Sequence, residues 1–229
     1  MRAERRPTNL IPLIDGDMLL YRNPDLEAFD DYVCSIMSDL NTDKAYVFVK
    51  TDDTSYRREV LKDYKANRPP RDSKVTELLE AVKTNLIINS MPQLETDDYL
   101  SIFASTNPDS YVIVSDDKDF DTIPGLHMKL KNRELYKVSK DEACLAFQRQ
   151  LIIGDSADNV KGLPRKGPVY ANNNLTTDLR LNYYKLIKLY EESKASLPDN
   201  FLALMILTSK EFLNFLNITW VEPQLYGTI

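Results

Sequence analysis

Three short apolar runs in this chain end in acid. Residues 10–14 (LIPLI) run into Asp15-Gly16-Asp17, residues 45–49 (AYVFV) are followed closely by Asp52 and Asp53, and residues 110–115 (SYVIVS) run into Asp116, Asp117 and Asp119. Short apolar runs bounded by polar residues read as buried strands. Between them the spacing turns helical. Leu26, Phe29, Val33, Ile36, Met37 and Leu40 recur at threes and fours over residues 25–40, residues 74–88 read as a helix, and ETDDYLSIFAS from Glu95 opens another. Strands alternating with helices predict an α/β fold, a central mostly parallel sheet flanked by helices. In such a sheet the site lies beyond the carboxyl ends of the strands, and the acids stand there three times over. LHMKL (126–130) and ELYKV (134–138) are two further strand candidates.

From residue 139 the pattern is helical. Ser139 with Glu142 forms a capping box for a helix over 140–153. A turn-rich segment, GDSADNVKGLPRKGP (154–168), holds three of the six glycines. Two amphipathic helices follow, near 178–194 and 199–216. The expected organisation is an α/β core over 1–138, including a basic, arch-like segment at 55–90, and a helical part over 139–229, packed as one unit.

Several classes of chemistry are excluded by what the chain lacks. Cys34 and Cys144 stand far apart without ligand-spaced companions, which argues against a zinc site or a disulfide framework. His127 is the only histidine, and its place in an apolar-alternating stretch reads as structural, so no triad or two-histidine metal motif is available. No apolar run approaches the roughly 18–20 residues of a membrane span. The basic start, MRAERRPTNLIPLIDGD, is broken by Asp15 and Asp17 and does not read as a signal peptide. A cytoplasmic protein is expected, in the host cytoplasm if phage-encoded.

Catalysis must then come from carboxylates, lysines, arginines, tyrosines and a metal. The acids at element ends are Asp15, Asp17, Asp52, Glu95, Asp97, Asp98, Asp117, Asp119, Asp155 and Asp158. If they converge, each pair about 4 Å apart repels by roughly 4 kcal/mol at an effective dielectric of 20. Such a cluster persists when it is protonated or holds hard cations, and all-oxygen ligation selects magnesium or manganese. Two such ions can polarise a phosphate, supply a hydroxide nucleophile and stabilise the leaving oxygen. Opposite in sign is SYRREVLKDYKANRPPR (55–71), with Arg57, Arg58, Lys62, Lys65, Arg68 and Arg71 interleaved with Tyr56 and Tyr64. Bases can stack on tyrosine while the cations hold phosphates. A formal net charge of -6 is no obstacle, because only the local patch meets phosphate. The glycines of 154–168 would let backbone approach a phosphate closely.

Five ordered blocks carry a family resemblance: LIDGDMLLYR (13–22), SYRREVLKDYKANR (55–68), LETDDYLSIFA (94–104), VIVSDDKDFDTIPG (112–125) and GDSADNVKGLPRKGP (154–168). Together they resemble the 5′-nuclease superfamily of flap endonucleases and polymerase 5′-nuclease domains, most of all the short bacteriophage 5′→3′ exonucleases. The resemblance implies a two-metal phosphodiesterase that cuts DNA at 5′ ends and flaps, removes RNA from RNA–DNA hybrids, and works as a monomer with two magnesium ions, for which manganese can substitute. It implies metal-ligand roles for Asp15, Asp52, Glu95, Asp97, Asp98, Asp117, Asp119, Asp155 and Asp158. Arg22, Tyr56, Arg57, Tyr64, Lys65 and Arg68 would meet nucleic acid, Lys65 as electrostatic catalyst with Arg68. Gly162, Lys166 and Gly167 would belong to a helix–three-turn–helix (about 151–175) that grips duplex backbone, in the family often with a potassium ion.

This chain departs from the family there. Arg165 stands where the family turn has glycine and Val169 where it has lysine, and an arginine at a left-handed position costs about 1 kcal/mol. Three other readings compete. Asp15-Gly16-Asp17 imitates a haloacid-dehalogenase-like phosphatase, the fold also suits a non-catalytic structure-specific DNA clamp, and a PIN-like ribonuclease shares the architecture.

Overall fold

The three acid-ending runs lie side by side in one sheet. In the computed structural model, which describes residues 10–229, β1 (Ile11–Asp15) lies between β2 (Tyr46–Phe48) and β3 (Tyr111–Val114). β4 (Gly125–Met128) and β5 (Leu135–Val138) complete the order β2-β1-β3-β4-β5. The basic start, residues 1–9, lies outside the described residues. β1 pairs in parallel with β2 and β3, and β3 with β4, while β5 returns antiparallel as the second arm of a hairpin.

Parallel neighbours require crossovers, and helices supply them. α1 (Gly16–Leu20) and α2 (Leu26–Asp39) join β1 to β2; α3 (Arg57–Val60), α4 (Ser73–Asn85) and α5 (Thr96–Ala104) join β2 to β3. The strands are buried on both faces and sort by the two-residue period of β-structure. Ile14, Val47, Val49, Val112 and Val114 pack with Phe29, Val33 and Ile36 of α2 and Leu78, Leu79 and Val82 of α4. Leu13, Phe48 and Ile113 face the other way, onto Tyr99, Leu100 and Phe103 of α5. His127 is buried, as its setting predicted, with Nε2 2.9 Å from the carbonyl of Ile123.

The turn from β1 into α1 depends on Gly16. A Cβ there would stand 2.5 Å from Cγ2 of Val49 and 2.8 Å from the carbonyl oxygen of Phe48, so only glycine lets the turn lie this close to β2.

Segment 55–90 does not stand out as an arch. Its one long helix, α4, is docked by three buried apolar residues, and beyond it the backbone of Asn89 bonds to Val47 and Val49 at the open edge of β2. The tail crosses the same edge. Gly227 accepts from Ile87, and Gln224 exchanges hydrogen bonds with the Asn89 side chain.

The helical part follows β5. α6 (Lys140–Ile153) carries the Ser139–Glu142 capping box read from sequence. A small hairpin, β6 (Gly154–Asp155) and β7 (Val160–Lys161), leads by turns to α7 (Pro168–Asn174), then to α8 (Leu179–Ser193). Gly154 has φ +73, and a Cβ on it would lie 2.2 Å from the amide nitrogen of Gly162, while one on Gly162 would lie 2.4 Å from that of Gly154. The two glycines close the hairpin backbone against backbone. Arg165 adopts φ +61, the left-handed position that the family pattern fills with glycine.

The single helix expected over 199–216 is instead two, α9 (Leu197–Leu204) and α10 (Glu211–Phe215), separated by extended chain. The cause is a buried ion pair. Arg57, 1% exposed, places NH1 2.5 Å and NH2 2.8 Å from the two oxygens of Asp98, which is fully buried. Its remaining donors reach the carbonyls of Ala203 (3.0 Å) and Met205 (2.7 Å), and Asp98 accepts the amide of Leu207 at 2.9 Å. Continuing the helix would withdraw these backbone groups from a pair that cannot be left unsatisfied. Arg57→Ala should therefore cost about 3–5 kcal/mol by stranding a buried carboxylate. Arg57→Lys should restore little, since an ammonium cannot reproduce the two-pronged contact. Guanidinium denaturation measures both, and a loss below about 1 kcal/mol for the alanine variant would contradict this account.

Candidate active site

The parallel strands all point their carboxyl ends to one rim, and the acids of four chain segments meet there. Asp15 ends β1 and is 5% exposed. Ser115, just past β3, donates its hydroxyl to Asp15 Oδ2 at 2.7 Å and accepts the amide of Asp117 at 3.0 Å, tying two strand ends together. Asp117 in turn accepts the amide of Asp119, beginning a 3-10 turn over Lys118–Thr122. Asp17 accepts from the amide of Lys50 (3.0 Å) and the hydroxyl of Thr96 (2.5 Å), which brings β1, the end of β2 and the start of α5 together. Glu95 caps α5 reciprocally with Asp98, and Asp97 lies in the first turn.

The basic run is clamped across this rim by the hairpin after α6. Lys65 and Asn159 are both left-handed, with φ +55 and +58. The Lys65 amide donates to the carbonyl of Asp158 (2.9 Å), and the Asn159 side chain donates to the carbonyl of Asp63 (2.8 Å). Left-handed conformations of non-glycine residues are costly and need such fixing. The side chains then interleave. Lys65 Nζ bonds Glu95 and stands 3.7 Å from Asp158, Arg68 pairs with Asp158, and the Tyr64 hydroxyl donates to Asp158 at 2.7 Å. Lys118 Nζ lies 3.7 Å from both Asp119 and Asp155, and Gln150 of α6 donates to Asp119 at 2.6 Å.

The acids therefore divide into two groups. Glu95, Asp119, Asp155 and Asp158 have cations beside them; Asp15, Asp17, Asp97 and Asp117 have none within ion-pair distance among the described residues. Burial opposes ionisation of Glu95, yet Arg57 and then Lys65 hold it down to about 2. Burial, then the charge of Asp17, pushes Asp15 up to about 7. Burial and then Asp117 push Asp119 up to about 6, and burial together with Asp98 raises Asp97 well above the carboxylate range. Among the described residues no three of these side chains close around one point. The donor set is nevertheless all oxygen, and its uncompensated members are those that a hard cation would neutralise.

Not every expected site residue stands at the rim. Asp98 is consumed by Arg57 and is closed to a metal. Arg57 and Tyr56, 1% and 4% exposed, lie inside the fold and cannot touch nucleic acid. The Tyr64 ring, 3% exposed, packs with Leu151 and Leu163, so only its hydroxyl faces the acids and no base can stack on it. Asp52 turns back on its own loop, accepting from Thr54 and pairing with Lys50 at 2.8 Å. Arg22 reaches Asp116 at 2.6 Å beside the rim. Gly167 begins α7 in open space, and the Lys166 ammonium lies 4.2 Å over the Tyr170 ring. Sequence reading missed the supporting contacts of Ser115, Thr96 and Gln150; a hydroxyl at the end of an acid-flanked strand was the available signal for Ser115.

The family described as "5′-3′ exonuclease, N-terminal resolvase-like domain" matches residues 25–147, more than half of the chain. The chain belongs to that 5′-3′ exonuclease family. A flap endonuclease Xni of Shewanella woodyi is 29% identical over 137 residues, 53% of this chain and 54% of the relative. An exodeoxyribonuclease of Enterobacteria phage T3 is 33% identical over 132 residues, 53% of this chain and 43% of the relative. The chain thus spans about half the length of the curated relatives it matches. Among solved structures, T5 D15 protein co-crystallized with metal ions superposes with a TM-score of 0.66 at 19% identity, over 85% of this chain and 89% of that one. The T5 D15 flap endonuclease in a pseudo-enzyme-product complex with DNA and metal ions gives 0.62 at 18%, over 85% and 89%. These likenesses establish the 5′-nuclease fold, and the family match sets aside the phosphatase reading.

The raised acids give this chain a pH dependence of definite sign. A carboxyl whose pKa is raised on folding stabilises below its unfolded value and loses that contribution as pH rises through the folded one. With Asp15 near 7 and Asp119 near 6, chelator-treated protein should lose a few kcal/mol between about pH 4 and pH 7. Glu95, held low, works in the opposite sense below its ordinary value. Thermal unfolding in excess chelator should therefore give a higher Tm near pH 5 than at pH 8, and a flat profile would count against the charge arrangement described.

Proposed function

We propose that this chain hydrolyses DNA phosphodiesters from 5′ ends, as a 5′→3′ exonuclease with structure-specific flap endonuclease activity that depends on divalent cations. Magnesium is the expected ion, with manganese able to substitute. RNA in RNA–DNA hybrids is an expected second substrate, and phage-type DNA replication or repair, in the cytoplasm and as a monomer, the expected setting. The observation that carries this reading is the Lys65–Arg68 segment clamped onto Glu95 and Asp158, beside the strand-end acids Asp15 and Asp117. The T5 relative's complex with DNA and metal ions supports it.

Each group has work suited to its chemistry. Divalent ions, when bound among Asp15, Asp97, Asp117, Asp119, Asp155 and Asp158, would polarise the scissile phosphate and lower the pKa of the attacking water. Lys65 and Arg68 now neutralise Glu95 and Asp158. They are long enough to exchange these carboxylates for a phosphate and stabilise its developing charge. The Tyr64 hydroxyl keeps Asp158 oriented while that exchange occurs. Arg22, beside the rim, and Lys166, in the turn before α7, offer charge to the bound strand. A left-handed Lys65 backbone, fixed through Asp158, holds the ammonium in place before substrate arrives. The potassium site of the family turn is not part of this proposal, since Arg165 fills its glycine position.

Substrates labelled at the 5′ end, as duplex, flap and RNA–DNA hybrid, test the proposal with magnesium present or chelated. Asp117→Ala should abolish cleavage while DNA binding persists, and Lys65→Ala should slow it about a hundred- to a thousandfold. Full activity in the Asp117 variant, or cleavage in excess chelator, would overturn the mechanism. Tight DNA binding without any cleavage would instead favour a clamp.

A further inference from the structure

Asp17 belongs to the turn after β1 but stands at the carboxyl end of β2. Gly16 puts it there, because the turn approaches Phe48 and Val49 too closely for any side chain. One carboxylate oxygen accepts the Lys50 amide at 3.0 Å and the other the Thr96 hydroxyl at 2.5 Å. Neither bond needs a charge, since an asparagine or threonine could accept from these donors. The charge has a cost, for Asp17 is only partly exposed and lies beside the buried Asp15. Arg71 and Lys65 only partly offset that cost from a distance, and among the described residues no lysine or arginine lies within ion-pair distance of either acid. A buried carboxylate beside another is unfavourable unless something positive joins them. Asp52, the acid that sequence assigned to this strand end, is already neutralised by Lys50 at 2.8 Å.

We propose that Asp17, together with Asp15, supplies carboxylate oxygen to a hard divalent cation at the carboxyl ends of β1 and β2, in the place assigned by sequence to Asp52. The proposal rests on the nuclease reading and adds to it a ligand that the sequence motif does not reveal. It also gives Gly16 a functional reason, as the residue that lets the carboxylate cross from one strand end to the next.

The test is manganese binding by the intact chain without DNA, read from the electron paramagnetic resonance of free Mn2+, with thermal unfolding of the metal-free protein alongside. Asp17→Asn should weaken Mn2+ binding by at least about tenfold, and Asp52→Asn should stay within about twofold of wild type. Metal-free Tm of Asp17→Asn should equal or exceed that of wild type, because a repelling charge is removed. Asp15→Asn is the control. Weak binding in Asp15→Asn with unchanged binding in Asp17→Asn would overturn this inference and leave the nuclease reading standing. Absence of Mn2+ binding in wild type would overturn both. Metal-free unfolding several degrees below wild type in both Asp17→Asn and Asp17→Thr would make Asp17 a structural residue and overturn the proposal.

Discussion

The buried pair of Arg57 and Asp98 is the constraint on which the arrangement around the site depends. A guanidinium and a carboxylate removed from water are tolerable only if every donor and acceptor finds a partner. Here the partners come from three places: α3, the first turn of α5, and the chain between α9 and α10. Satisfying the pair fixes all three relative to one another. It ends one helix, starts another, and holds the reciprocal cap that sets Glu95 at the rim. Arg57 also lies 4.0 Å from Glu95, so the same cation that organises the interior keeps that acid ionised.

Around this centre the protein manages a large excess of negative charge by dividing it. Some carboxylates are covered by cations, Lys65, Arg68 and Lys118 among them. Others, Asp15 above all, are buried with only hydroxyl and amide donors for company. These cations keep the first group from repelling one another. The second group remains unsatisfied in electrostatic terms, and this is the imbalance that the proposed hard cations would relieve.

Most of the fold was legible because buried strands and helix caps are local signals. The three acid-ending runs, the hairpin at 125–138 and the capping box of α6 needed only neighbouring residues to be read. What could not be read was set by contacts distant in sequence. The break between α9 and α10 answers to a pair formed at residues 57 and 98. For the same reason Arg57 and Tyr56 looked like part of a basic, aromatic surface: residue type and spacing do not say which cation of a charged run turns inward. The positions of Asp15 and Asp117 at strand ends were legible because the strands themselves fix them. Asp98 follows Asp97 directly, and nothing local separates the acid facing the rim from the one facing Arg57. That Asp17 stands at the end of β2 was not legible, because the glycine that carries it across acts through tertiary packing.

The meeting of Gly154 and Gly162, main chain on main chain, has a consequence for how this region can vary. Asp155 and Asp158 hang from a loop whose base is closed without any side chain. Exposed residues between that base and α7, Arg165 among them, can be exchanged without shifting the acids. On the proposed function, affinity for a polyanionic ligand and reactivity toward it would thereby be insulated from each other, so one could be retuned while the other is kept intact.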